Sequence, residues 1–175
     1  MHIALRPYSE QDFRLLERLL GDPAMMTHLG GPETPEQLRK RHARYLQAAG
    51  SDTTRVFVVT VGDEGTPAGS VVYWEMRWKD QTVWEFGWSV LPEFQGRGVA
   101  TRGASLAIEQ ARSQGRNRFA HATPSVDNAP SNGICRNLGF ELLGELDVEY
   151  PPGHQMRCND WTLDLSVPPE KTAKR

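Results

Sequence analysis

Residues 90–101 read Val90-Leu91-Pro92-Glu93-Phe94-Gln95-Gly96-Arg97-Gly98-Val99-Ala100-Thr101. A β-branched run ends at Val90, a turn follows at Pro92, and a helical pattern starts at Gly98, with Val99, Leu106, Ala107, Ile108 and Ala111 apolar before Gly115 stops it. A strand, a glycine loop and a helix in that order can cradle an anion. Gly96 and Gly98 lack the Cβ atoms that would hold a phosphate away from backbone N–H groups, the helix N-terminus favours negative charge, and Arg97 adds a cation. The loop has neither the Lys-Ser/Thr pair of a P-loop nor the full Gly-x-Gly-x-x-Gly of a dinucleotide site. The competing reading is a strand-to-helix turn that simply needs glycine.

Upstream, residues 55–61, 69–77 and 82–90 are short β-branched runs separated by loops rich in Gly, Asp and Lys, which predicts an antiparallel meander. Downstream, a strand at about 117–122 follows the helix at 98–113. This gives a right-handed βαβ unit in which strands 82–90 and 117–122 are parallel. A short helix at about 129–138, stopped by Gly139, leads to strands at about 140–149 and 154–165. Two helices come first. Ser9 precedes one with Phe13, Leu16, Leu19 and Leu20 on a face, ended by Gly21, and Thr34-Pro35-Glu36-Gln37 opens the other with a capping box. Residues 24–29 between them read as a short irregular or helical insert. The succession α, α, β, β, β, α, β, α, β, β predicts an α/β (α+β) fold: a mixed, mostly antiparallel sheet flanked by helices. Residues 1–165 form one domain in this reading, and 166–175 a frayed tail.

The composition narrows the function. Among 175 residues, 20 Lys and Arg stand against 22 Asp and Glu, so no global field attracts nucleic acid or acidic lipid. The N-terminus has no secretory pattern, and no apolar run approaches the ~20 residues of a membrane helix. The expectation is a cytoplasmic protein without nucleic-acid or membrane partners. Cys135 and Cys158 lack metal-site spacing and read as reduced, buried residues, with no metal site.

Gln95-Gly96-Arg97-Gly98-Val99-Ala100 resembles the Gln/Arg-x-x-Gly-x-Gly/Ala motif of the GNAT N-acetyltransferase superfamily. Asn128-Ala129-Pro130-Ser131-Asn132, leading to Leu138-Gly139-Phe140, is similar to the Asn-x-x-Ser and Leu-Gly-Phe signature of its branch of ribosomal-protein N-terminal (RimJ/RimL-like) acetyltransferases. Leu5-Arg6-Pro7-Tyr8 and Glu85-Phe86-Gly87-Trp88 also fit, so the resemblance runs over about residues 3–165. It implies a sheet of six to seven strands with a splayed parallel pair. It also implies acetyl-CoA as co-substrate, and acetyl transfer to a primary amine of a small molecule, a peptide or a protein N-terminus. Backbone N–H groups near Val90 and Leu91 then contact pantetheine and the thioester carbonyl, while Gln95, Gly96, Arg97, Gly98, Val99, Ala100 and Thr101 hold the pyrophosphate. Arg102-Gly103 departs from the branch, which commonly carries an acidic residue after the loop. Exposed strand edges in this fold make a homodimer plausible.

Acetyl transfer needs a held donor, a polarised carbonyl, a deprotonated amine and a protonated leaving thiolate. Glu85 is the candidate base: by strand alternation it shares a face with Gly87 and Ser89, opposite Trp84, Phe86, Trp88 and Val90. The competing readings are an exposed sheet carboxylate and a cross-strand ion pair with Arg77 or Lys79. Ser131 is the candidate acid, with Asn128 contacting the pantetheine arm. Helix capping is the competing role for that pair, and Tyr150 is an alternative donor. For the acceptor, the candidates are Trp74 and Trp88 in a tryptophan-rich hairpin, His28 in the insert 25–31, and His154 in the loop 151–154. His121 is a further histidine for binding or proton transfer. A CoA-binding module without catalysis and a transferase of another short acyl-CoA are the alternative functions.

Overall fold

The computed structural model describes residues 1–168, so the expected tail 166–175 lies outside the described residues beyond its first three. Ser166 is tied down, its N–H and hydroxyl both donating to Asp164. The elements run β1 (Ile3–Pro7), α1 (Phe13–Leu20), α2 (Pro35–Gln47), β2 (Thr54–Val61), β3 (Thr66–Trp78), β4 (Gln81–Val90), α3 (Val99–Gln114), β5 (Phe119–Ala122), α4 (Ala129–Asn137), β6 (Glu141–Glu149) and β7 (Gln155–Asp164). The sheet has seven strands in the order β1-β2-β3-β4-β5-β7-β6. Every neighbouring pair is antiparallel except β4 and β5.

Alternation along the strands divides the molecule into two layers. On one face Phe57, Val59, Val71, Tyr73, Trp84 and Phe86 pack against Val99, Ala107, Ile108 and Ala111 of α3. On the other, Val56, Val58 and Val72 pack against Leu15 and Leu19 of α1, with Tyr45 and Leu46 of α2 beside them. The capping box at α2 forms as its sequence requires: Gln37 N–H donates to Thr34 Oγ1, and Thr34 N–H donates to Gln37 Oε1.

Two differences from the sequence reading bear on the site. The predicted succession omits β1, whose Ile3 to Pro7 pair with Val61 to Phe57 at one sheet edge; a single edge strand beside a Pro carries little periodicity. The tryptophans of the hairpin do not make one aromatic surface. Trp74 pairs with Glu85 and shares its face, whereas Trp84 and Trp88 point to the α3 side, where Trp84 is fully buried.

Candidate active site

The parallel pair is brief. β4 and β5 align only at Trp84 with Ala120 and at Glu85 with His121, although β4 runs on to Val90. Pro124 helps end the pairing, since it has no N–H to continue a ladder, and its carbonyl accepts from Asn159 N–H of β7 at 2.9 Å. Leu91 N–H donates to Ala68 O at 2.8 Å on the β3 side. Alternation therefore turns the N–H groups of Trp88 and Val90 away from β3, into the opening between β4 and β5. Of the two residues expected to offer backbone donors there, Val90 has its N–H on the side of the opening by alternation, whereas the Leu91 N–H is already used and its side chain is buried.

The loop after β4 is built around its open carbonyl end. Gln95 Nε2 donates to Val90 O at 2.8 Å, so this side chain braces the loop against the strand. Gly96 and Gly98 have φ of +69° and +74°, the left-handed region that L side chains resist, and a Cβ at either would meet nothing within 4 Å. Gly98 is the N-cap of α3 and supplies no side-chain cap. The first N–H groups of α3, at Val99, Ala100 and Thr101, thus start a helix whose end is open to an anion, with the exposed Arg97 beside it. Val99 contributes backbone only, its side chain being 1% exposed in the core. Gly103, the departure from the branch pattern, lets α3 press onto the sheet: a Cβ there would lie 2.9 Å from Val59 Cγ2.

Glu85 is buried, 6% exposed, on the α1/α2 side of the sheet. Thr123 Oγ1 donates to its Oε1 at 2.6 Å, while its Oε2 is buried with no partner. Neither competing reading holds. Lys79 lies over the Trp78 ring, Glu85 makes no ion pair among the described residues, and it is not exposed. Burial pushes its carboxyl up to about 7; the Thr123 hydrogen bond and His121 pull down against that, and Asp160 pushes up. His121 is not solvated either: its Nδ1 is 2.9 Å from Asp160 Oδ1. Thr123 and Asp160 were not found by sequence reasoning, because nothing in their local pattern marks them; only the β4–β5–β7 register brings them to Glu85.

Asn128 caps α4, accepting from Ser131 N–H at 3.2 Å, so the capping reading of that pair is realised, and it leaves the Ser131 hydroxyl free for other use. Asn132, next in sequence, anchors the helix. Its Nδ2 donates to Ser125 O and Asn128 O, and its Oδ1 accepts from Asn159 and Trp161. Cys135 and Cys158 are both buried and reduced, and burial pushes the Cys135 thiol up to about 12.

The acceptor candidates separate. Trp74, 38% exposed, lies over Gly87 on the Glu85 face, whereas Trp88 packs into the opposite core and cannot join it in one wall. The insert and the 151–154 loop do meet: Gly30 lies against Pro151 and His154. His28 and His154 line one open cleft of about 230 Å³ with Thr27, Asp127, Gln155 and Arg157. Tyr150, the alternative acid, accepts from Arg41 at 3.1 Å through its hydroxyl, and Arg41 pairs with Glu33. No group of three His, Cys, Asp or Glu able to hold a metal ion occurs among the described residues, and no helix there is long and apolar enough to cross a membrane.

The spermidine N(1)-acetyltransferase of Escherichia coli K12 is 28% identical over 148 residues, which cover 85% of this chain and 77% of that protein. In structure, spermidine N-acetyltransferase from Vibrio cholerae, solved with CoA and spermine, superposes with a TM-score of 0.77 at 21% identity, covering 94% of this chain and 96% of that one. Ribosomal-protein-S5-alanine acetyltransferase from Vibrio fischeri also gives a TM-score of 0.77, at 17% identity, covering 94% and 93%. The family described as acetyltransferase (GNAT) domain matches residues 2–141, which takes in the opened strand, the glycine loop, Glu85 and the whole of α4. The chain belongs to the GNAT family and is an N-acetyltransferase.

Proposed function

We propose that the chain moves an acetyl group from acetyl-CoA directly to a primary amine. The observation that carries this reading is Glu85: a buried carboxylate with one oxygen free, beside the place where β4 and β5 part. The α3 N–H groups, Gly96, Gly98 and Arg97 suit the pyrophosphate, and the outward N–H groups of Trp88 and Val90 suit the pantetheine arm and the thioester carbonyl.

In the reaction, the amine nitrogen attacks the thioester carbon, a C–N bond forms and the C–S bond breaks. Glu85 takes the proton lost by the ammonium group. Ser131 donates one to the departing thiolate and is reprotonated, through water, by the second proton that the nitrogen sheds as the amide forms, while Glu85 passes its proton to solvent. With its group held near 7, Glu85 is part-ionised at neutral pH, able to accept a proton and to release it again. Transfer through an acetyl-cysteine is disfavoured, since both thiols are buried and raised in pKa, which suppresses the nucleophilic thiolate. The cleft bearing His28 and His154 is the proposed site for the remote part of the acceptor. The relatives divide between spermidine and ribosomal proteins, among them one that modifies the N-terminal serine of L7/L12, and both classes offer primary amines.

Thermal unfolding with acetyl-CoA, CoA, ATP and NAD tests the donor. A ligand at about 100 times its Kd raises the midpoint by about 5–11 °C in a domain of this size. Shifts with acetyl-CoA and CoA but not with ATP or NAD are expected, followed by thiol release on adding spermidine or a peptide with N-terminal alanine. No shift with either CoA species in folded, ligand-free protein refutes the proposal. A shift without thiol release from any amine tested favours a CoA-binding module.

A further inference from the structure

Asp160 and His121 form a second buried pair that the transfer chemistry does not use. Asp160 Oδ1 meets His121 Nδ1 at 2.9 Å, its Oδ2 accepts the Trp78 Nε1–H at 3.1 Å, and His121 Nε2 lies 3.3 Å from Thr162 Oγ1. The Trp78 ring lies against the imidazole, with centroids 4.7 Å apart, and Lys79 Nζ sits 4.1 Å over the Trp78 ring. Both members of the pair are closed off from solvent, His121 at 2% and Asp160 at 6% exposed. Their placement is not neutral with respect to Glu85, because His121 is its register partner across the parallel pair and Asp160 is held by His121. In a buried setting, charges that close are weakly screened.

We infer that His121 and Asp160 are positioning residues for Glu85, the buried pair beside it setting the range of pH over which it accepts the acceptor's proton. The groups facing Glu85 are few. Besides His121 from β5 and Thr123 just after that strand, they are Asp160 and Cys158 from β7 and Cys135 from α4, and neither thiol is ionised at neutral pH. Of the groups that act on Glu85, His121 and Asp160 are the ones that can bring charge to it. The two act in opposite directions: an imidazolium favours the carboxylate, and a second carboxylate disfavours it. This inference rests on Glu85 as base.

Carbon-13 NMR of protein labelled in its glutamate carboxyl groups, with the Glu85 signal assigned by its loss in Glu85→Gln, reads the titration without any acceptor. Asp160→Asn should lower the Glu85 midpoint by about one unit, and His121→Gln should raise it. A merely structural pair gives a different signature, since loosening the wall admits water and lowers the midpoint in both variants. Two downward shifts, or no shift, overturn the inference. Because Asp160→Asn moves the midpoint down in either case, the sign at His121 decides; should His121→Gln fail to fold, His121→Asn, which also donates toward Asp160, takes its place with the same upward shift expected, and a downward shift overturns the inference. The acidic limb of kcat/KM for spermidine, or for the alanyl peptide if spermidine is not turned over, should move with the NMR midpoint. A limb that stays in place while the midpoint moves refutes Glu85 as base and leaves the charge coupling intact.

Discussion

Glu85→Gln should make the protein more stable relative to wild type as the pH rises, while it removes the proposed base. The folded carboxyl holds its proton to about pH 7, against 4.5 for the ordinary group. Because the folded value is the higher one, the native state keeps a proton between those limits that the unfolded chain has released. Burial of Glu85 therefore costs nothing below about pH 4.5, costs more as pH rises, and reaches its full value above pH 7. Converted at 1.36 kcal/mol per unit, that value is about 3 kcal/mol. Gln has nearly the same shape, can still accept from Thr123 and does not titrate. Its unpartnered amide carries a penalty, but one that is equal at every pH. Thermal unfolding of both proteins at pH 5, 6, 7 and 8 isolates the titration: about 2.5 kcal/mol of that cost develops over this range, so the midpoint of the variant minus that of wild type should climb by about 5–10 °C across the series. Turnover in the same variant should fall by a factor of about 10²–10⁴. A midpoint difference that stays flat with pH refutes the buried, raised carboxyl, and with it the reason for choosing Glu85 as base.

Gly98→Ala places a side chain at φ +74°, costing about 1–2 kcal/mol of stability, and should also shrink the midpoint shift produced by CoA; an unchanged shift removes the loop from the donor site. Ser131→Ala keeps the N–H that Asn128 caps, so it should unfold like wild type yet release thiol more slowly, whereas Asn128→Ala should lose about 1 kcal/mol through the missing cap. Gly103→Ala gains about 1 kcal/mol of helix propensity but drives a methyl group to 2.9 Å from the stiff, buried Val59, so overpacking of about 1–3 kcal/mol should win and the midpoint should fall.

What the sequence makes legible is what local pattern encodes. Thr34, Pro35 and Gln37 announce a helix start because the cap is made within one turn, and the strand-glycine-helix order marks the loop because each conformation is decided by a few adjacent residues. Glu85 is reachable through alternation, which assigns its face correctly, but alternation gives no partners across strands. Thr123 and Asp160 stay hidden for that reason: they reach Glu85 through register between strands far apart in sequence. Trp88 fails as an acceptor wall on the same ground that favours Trp74, since one residue of parity separates opposite faces of the sheet. Leu91 fails because its N–H is used by Ala68, a pairing no single-strand reading contains.

The division of labour along the chain follows from this. The segment matching the family, residues 2–141, holds the opened strand, the anion cradle and Glu85 itself. Asp160 and the anchoring partners of Asn132 lie beyond it, on β7. A carboxylate alone at Glu85 would be buried without regulation of its charge, and α4 alone would have no fixed seat. Strand β7 supplies both, pairing with β5 where it stands beside β4, so the sheet must extend past β5 before Glu85 and Ser131 of α4 can share a defined geometry. Chain truncated within β6 would accordingly retain the motif residues and lose the β7 partners that fix their surroundings.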